Sequence, residues 1–337
     1  MLKKLKVDSF VIAIVISIVI AYFFPQLGAK DSPVPMHLVS SIGISLIFFF
    51  YGLSLSTEAI KNGLKNWRLH VVVQSSTFVI FPLIILAFYP FFKDTSNEIL
   101  WLAFLFMAAL PSTVSSSVVM VSMAKGNLPA AIFNASISGI IGIVLTPLWM
   151  MPFVKPFLEN TDIAFDFSTI YMQLVTEIVV PLTLGLLLRR YLGKLARKYK
   201  AQLDLFDKFI ILLIIYKSFV QSFEDNVFTS VSIKQMTVMF ILVLVLFYFM
   251  YNLTGWIGKI LKFNHADRIT NQFCGTKKSL VHGTVFSEAL FGKTSLIGIL
   301  LLPLMLYHAI QILIVSIYAT RIGKEQTERE KLAGREL

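Results

Sequence analysis

Cysteine occurs once in these 337 residues, at Cys274, so no disulfide can form within the chain and no thiolate cluster can hold a metal. Acid is also scarce: nineteen Asp and Glu stand against thirty Lys and Arg, and charged residues make up only 15% of the chain. There is no HExxH, no CxxC and no pair of aspartates within the apolar segments. Serines and histidines occur without a recognisable nucleophile motif, and Gly292-Lys293-Thr294 lacks the earlier glycine of a phosphate loop. These absences argue against an enzyme and against a protein-bound metal or cofactor.

Apolar sequence is what the chain has in quantity. Hydrophobic residues make up 56% of it, with thirty Phe, and the mean hydropathy is +0.77. Apolar runs of about 17–25 residues, long enough to cross a bilayer as helices, fall at 8–24, 36–56, 67–92, 98–123, 128–152, 168–191, 206–222, 232–260, 266–291 and 294–321. The alternating ten-residue segments of a membrane barrel are not seen, so the predicted fold class is an all-α polytopic membrane protein. The first run has a basic start like a signal peptide, but no small-x-small cleavage site follows before Lys30, and it is read as a span.

The charges orient these spans. Loops on the side of the N-terminus carry Lys61, Lys65, Arg68, Lys125, Arg189, Arg190, Lys194, Arg197, Lys198, Lys259, Lys262 and Arg268, followed by a basic tail from Arg321. The opposite loops carry Asp94, Glu159, Asp162, Asp166, Glu224 and Asp225 with few lysines. The positive-inside rule then puts both termini in the cytoplasm of a cell-membrane protein. The basic surplus reads as a topology signal and an attraction to membrane lipids rather than to nucleic acid, because it is dispersed over several short loops.

Two spans are interrupted in matching places. Residues 101–127 carry Pro111-Ser112-Thr113 near their middle, and residues 268–293 carry Gly275-Thr276-Lys277-Lys278-Ser279. Laying break on break also lays Gly126-Asn127 on Gly292-Lys293. Five spans precede the acidic loop 153–167 and five follow it, so the second half enters the membrane from the opposite side. The predicted architecture is two inverted five-helix repeats, 1–152 and 168–321, with a cytoplasmic tail 322–337, and broken helices 4 and 9 crossing. Paired discontinuous helices in the two halves mark a transporter's binding site.

Each second half-helix begins near its break, and helix N-termini offer free N–H donors and partial positive charge. Two such ends with Lys277 and Lys278 beside them predict a site for a small organic anion. Ser112, Thr113, Ser115, Ser116, Ser117, Thr276 and Ser279 supply hydroxyls that direct the ligand or repair the kinks. Gln74 in span three, Asn134 in span five, His282 in span nine and Gln311 in span ten are expected around this crossing, in coupling or supporting roles. His282 reads either as a proton carrier or as a neutral hydrogen-bonding group between helices. Asn134, Ser138 and Gly142 recur at one-turn spacing, a pattern of close helix packing. Glu288 is expected at the outer surface, and Lys217 is expected to snorkel or pair near Glu224.

The order and spacing of LPSTVSSSVVMVSMAKGN in span four, Thr146-Pro147 in span five and FCGTKKSLVHG in span nine resemble the bile acid:sodium symporter superfamily, closest to its divergent symporter-like branch. The resemblance runs over about residues 8–321. It implies a core domain of spans 3–5 and 8–10, a panel domain of spans 1, 2, 6 and 7, and alternating access between them. It also implies sodium ligands that this chain lacks. Where an acid and an amide flank the span-nine break, Phe273 and Lys277 stand. Hydroxyl positions early in span five fall near Ala131 and Ala135, and the span-four amide falls at Ser117 or Val118. The expectation is a secondary transporter of an organic anion with the usual sodium ligands largely replaced. A sodium-coupled symporter with relocated ion ligands, and a non-transporting regulatory protein on the same fold, are the alternatives; sodium or a proton is the coupling ion to consider. Lys277 is expected to fold back on carbonyls as a tethered cation, leaving Lys278 to face the ligand.

Overall fold

The computed structural model describes residues 9–29, 32–54, 66–113, 115–158, 172, 175–224, 232–291, 294 and 296–333. Every regular element among them is helical. We number the helices α1 Ser9–Phe23, α2 Met36–Ser54, α3 Trp67–Leu86, α4 Glu98–Ala109, α5 Ser115–Met123, α6 Leu128–Leu158, α7 Val180–Lys198, α8 Lys200–Glu224, α9 Ile233–Ile260, α10 His265–Gly275, α11 Leu280–Phe291 and α12 Ile297–Ala333. Five of these contain stretches long and apolar enough to cross a membrane: Met36–Ser54, Trp67–Leu86, Leu128–Val154, Ile233–Ile260 and Ile297–Glu328. The expected spans four and nine, read as broken helices from the sequence, are each divided, as α4–α5 and α10–α11. The start of expected span six, residues 168–171, lies outside the described residues, as does Gly292-Lys293.

The half-helices α4 and α11 occupy the middle of the bundle, whereas α5 turns Val119 and Met123 outward. From Trp101 to Ala109 every residue of α4 is buried, and every residue of α11 except Val281 is buried. α4 is apolar all round over this stretch and so belongs where no face meets water, whereas α11 also buries His282 and Glu288. Around this centre, α7 and α9 turn large apolar side chains outward, among them Leu187, Tyr191, Ile241, Val245, Phe249 and Trp256. An exposed apolar belt of this kind is the surface a bilayer covers.

Two helix pairs form the periphery. Ser17 of α1 donates to the Leu212 carbonyl of α8 at 3.0 Å. The α2–α7 contact is closer still, because Gly52 and Gly185 face each other. A methyl group on Gly52 would lie 3.0 Å from the Gly185 Cα, so only glycine lets these backbones touch.

A π turn, Ser76–Ile80, interrupts α3. Its cause is local. Pro82 has no N–H, so the Phe78 carbonyl loses its helical donor and takes the Trp149 indole instead, at 2.8 Å. The Phe81 N–H reaches back five residues to Ser76 rather than four to Thr77. The Thr77 carbonyl is thereby left without a helical donor, and it points into the centre of the bundle.

The opposite end of α10 is tied down by Asp267. Its carboxylate accepts from the amides of Asn66, Asn127 and Asn264 at 3.0, 2.7 and 2.8 Å. Its backbone N–H donates to the Asn264 cap.

Candidate functional site

Leu110 is extended ahead of Pro111 (φ −74°, ψ 152°), as the residue before proline prefers, and α4 stops there. The last carbonyls of a helix have no intrahelical donors and need other partners. Thr146 donates to Ala109 at 2.8 Å, and the Ser279 N–H donates to Pro111 at 2.9 Å. The Ser112 N–H, which would have served Ala108 had the helix continued, donates to Ser138 at 3.0 Å. Gly142, one turn further along α6, lies against the Pro111 ring, where a Cβ would stand 2.9 Å away. The Asn134–Ser138–Gly142 line therefore packs closely, and Ser138 also bonds the break.

At the second break, α10 ends at Gly275. Hydroxyls serve its carbonyls: Thr276 donates to Gln272 at 2.6 Å, Ser112 to Cys274 at 2.8 Å, and the Tyr307 phenol to Thr276 at 2.6 Å. Gln311 holds the Lys278 peptide at both ends, accepting from its N–H at 2.8 Å and donating to its carbonyl at 2.7 Å. The same Gln311 amide reaches His308 Nδ1 at 2.9 Å. Ser279 caps α11 by accepting from the His282 N–H at 3.3 Å. Its hydroxyl also meets His282 Nδ1 at 2.9 Å. The two breaks thus touch directly, through Ser112 with Cys274 and Ser279 with Pro111.

The two lysines are both fully buried and have different partners. Lys278 Nζ donates to the carbonyls of Thr77, Ala108 and Leu110 at 2.8, 2.5 and 2.9 Å, and lies 4.3 Å from the centre of the Phe81 ring. Lys277 Nζ reaches one hydroxyl, Ser116, at a long 3.5 Å, and the Met120 thioether at 3.0 Å. Ser116 belongs to a hydroxyl cluster in which Thr113 Oγ1 meets Ser116 at 2.8 Å and Ser117 at 2.9 Å. Ser115 is the first residue of α5. The expectation about the lysines is therefore reversed: Lys278 folds onto carbonyls, and Lys277 lies against the start of α5. The reason is the π turn in α3, which aims the Thr77 carbonyl at residue 278.

Two more expectations change. Glu288 is not at the surface, and Lys217 does not pair at Glu224. They form a buried ion pair with each other, 2.5 Å apart, joining α8 to α11. One Glu288 oxygen, Oε2, has no hydrogen-bond partner. Gln74 and Asn134 do come together: the Gln74 amide donates to the Asn134 carbonyl at 3.1 Å and to its side chain at 3.2 Å. They bridge α3 and α6. His282 lies between α11 and α2, edge-on to Phe48 and Tyr51. Tyr51 in turn donates to the Ser136 carbonyl of α6 at 2.7 Å. Tyr307, His308, Phe81, Pro82 and Asp267 were not singled out from sequence. Pro82, five residues after the polar run Gln74–Thr77, was the available signal for itself and for Phe81, since a proline in a span marks freed carbonyls; Tyr307 and His308 carried no such signal.

Comparison with known proteins agrees with this picture. The model of the SBF-like CPA transporter family matches residues 8–324. An uncharacterised protein, PA2026 of Pseudomonas aeruginosa, is 35% identical over 95% of this chain and 94% of its own length. The putative symporter YfeH of Escherichia coli K12 is 33% identical, covering 96% and 94%. Sodium/bile acid cotransporter 7-B of Xenopus laevis is 31% identical, covering 98% and 96%. The chain belongs to the SBF-like CPA transporter family, and it is a membrane protein.

Proposed function

We propose that this protein is a secondary transporter that moves a small organic anion across the cell membrane by alternating access. The observation that carries the reading is Lys277: a fully buried ammonium with one long hydroxyl contact and one thioether contact. A buried charge so poorly partnered is costly, and charge at membrane depth belongs in a ligand pathway. An anionic group beside it would meet the ammonium, the Thr113, Ser116 and Ser117 hydroxyls, and the N-terminal end of α5, with its free donors. The Thr276 and Ser279 hydroxyls complete the set of described polar groups near the two breaks. Lys278 is assigned to the frame of the site rather than to the ligand.

On this reading the chain forms ten spans, counting α4–α5 and α10–α11 as one broken span each. The halves 1–152 and 168–321 are inverted repeats, and both termini are cytoplasmic. Spans 3–5 and 8–10 form the moving core, and spans 1, 2, 6 and 7 the panel. Contacts between the two, through His282 and Tyr51 and through Lys217 and Glu288, would have to open and close during the cycle.

The test is flux into proteoliposomes made from purified protein, using a panel of carboxylate and sulfonate anions, with thermal stabilisation as an independent measure of binding. At least one anion should be carried, and Lys277→Ala should lose that activity while remaining folded. Neither flux nor stabilisation by any anion would overturn the reading and favour a regulatory protein on the same fold.

A further inference from the structure

We propose that the carbonyls of Thr77, Ala108 and Leu110, under the face of Phe81, form a cage for one monovalent cation, and that the Lys278 ammonium is its resident occupant. Two of the three carbonyls are free for a reason visible in the backbone. Thr77 loses its helical donor to the π turn ahead of Pro82. Ala108 loses its donor because the Ser112 N–H turns to Ser138. Leu110 lies just past the end of α4, before Pro111. The oxygens converge on one point from two helices, 2.5–2.9 Å from Nζ.

Three acceptors match the three N–H donors of an ammonium; a neutral amine would turn its lone pair toward one of them. No carboxylate takes part in the cage. The positive charge is held by the carbonyl dipoles, by the negative end of the α4 macrodipole and by the Phe81 ring quadrupole. Rings of backbone carbonyls are how membrane proteins bind alkali cations stripped of water. Here the cation is covalent, and its root is fixed because Gln311 clamps the peptide of residue 278 on both sides. The occupant therefore cannot exchange with solution. It joins α3 and α4 to the break ahead of α11 without a dissolved ion. If the protein transports as proposed above, this cage contributes no ion to the coupling; that consequence rests on the transport reading, whereas the cage itself does not.

The test needs no substrate. Thermal stability of the purified full-length protein is measured in choline chloride, then with sodium, potassium or methylammonium chloride at constant ionic strength. The parent should show no saturable response to any of these. Lys278→Ala should melt lower in choline and recover in a saturable way with at least one small cation, methylammonium being the nearest mimic of the lost group. Lys278→Met should melt lower and not recover, because its side chain fills the space without a charge. A Lys278→Met protein as stable as the parent, or a Lys278→Ala protein that no small cation restores, overturns the proposal. If Lys278→Ala cannot be purified, Pro82→Ala decides. It places a new N–H five residues after Thr77, where the π turn aims it at that carbonyl. Removing a proline from a helix usually raises stability. Competition with Lys278 predicts no rise or a fall, and a clear rise would show that the ammonium does not satisfy Thr77. Absence of flux through the parent protein, together with an intact cation response in Lys278→Ala, would count against the transport reading alone.

Discussion

The two helix breaks solve one problem in different ways. Each ends a helix at the centre of the bundle and strands carbonyls there. At the α10 end the carbonyls take hydroxyls, from Thr276, Ser112 and Tyr307. At the α4 end one hydroxyl, Thr146, is joined by an ammonium, Lys278. Hydroxyls repair a helix end and leave the charge unchanged. An ammonium repairs it and adds a positive charge that the dipoles must then hold. The neighbouring Lys277 shows the contrast within two residues, equally buried but with almost nothing to donate to. Burial alone says little about a lysine's task in this bundle; its acceptors say much more.

The largest expected effect tests whether main-chain acceptors make a lysine irreplaceable. Lys278→Met leaves three buried carbonyls without their donor and should cost about 1–3 kcal/mol of stability for each one left dry. Lys217→Met should cost a similar amount by stranding Glu288. The two should then separate. Adding Glu288→Leu should restore most of the stability lost with Lys217, since a buried ion pair is often replaceable by apolar side chains. No second side-chain substitution removes the carbonyls around Lys278. Melting temperatures of these variants would check the contrast, and a Glu288→Leu change that fails to rescue Lys217→Met would erase it.

Lys277→Ala comes next. Its effect should fall on anion binding rather than on folding. Loss of a charge-assisted contact should weaken binding by about 1.5–3 kcal/mol. The ligand-free melting temperature should hardly move in Lys277→Met, which keeps the buried space filled and loses only one long hydroxyl contact and one thioether contact. A large fall in stability without ligand would place Lys277 in the frame beside Lys278.

Single hydroxyl caps should matter less. Thr146→Val and Ser112→Ala each remove one neutral donor from a helix end, worth about 1 kcal/mol, more if the carbonyl is left dry. Chemical unfolding of the two variants compares the breaks directly. Matching small losses would confirm that hydroxyl repair is interchangeable between them.

The breaks and their polar residues were legible because their causes are local. Pro111 forbids its predecessor the helical conformation, and serines, threonines and lysines in an apolar span stand out. What each lysine touches was not legible. That depends on the rotation of α3, which the π turn sets, and on which carbonyl Pro82 leaves open. The Lys217–Glu288 pair was missed for a similar reason. Each residue sits near a span end, where a surface position is the ordinary case, and only the packing of α8 on α11 brings them together. Periodicity gives the face of a helix, and the partner of that face comes from tertiary packing.

The smallest expected effect is on sodium dependence, and it sets the site against the sequence resemblance. Phe273, which stands where the resemblance implies an acid, is fully buried, and Lys277 occupies the position of the amide. An ammonium close to a sodium ion repels it by several kcal/mol at protein dielectric. The Lys278 cage already holds its cation. Replacing sodium by choline should therefore leave ligand-dependent melting, and flux if present, almost unchanged. A steep, saturable sodium requirement with a Hill slope above one would break this argument. It would turn attention to Gln74 Oε1, Ser76 Oγ and Asn271 Oδ1, buried oxygens with no hydrogen-bond partner on the α3 and α10 side of the bundle. Substituting Asn271 by Leu would then abolish the sodium response, whereas in a protein that binds no sodium the same substitution changes packing and stability alone.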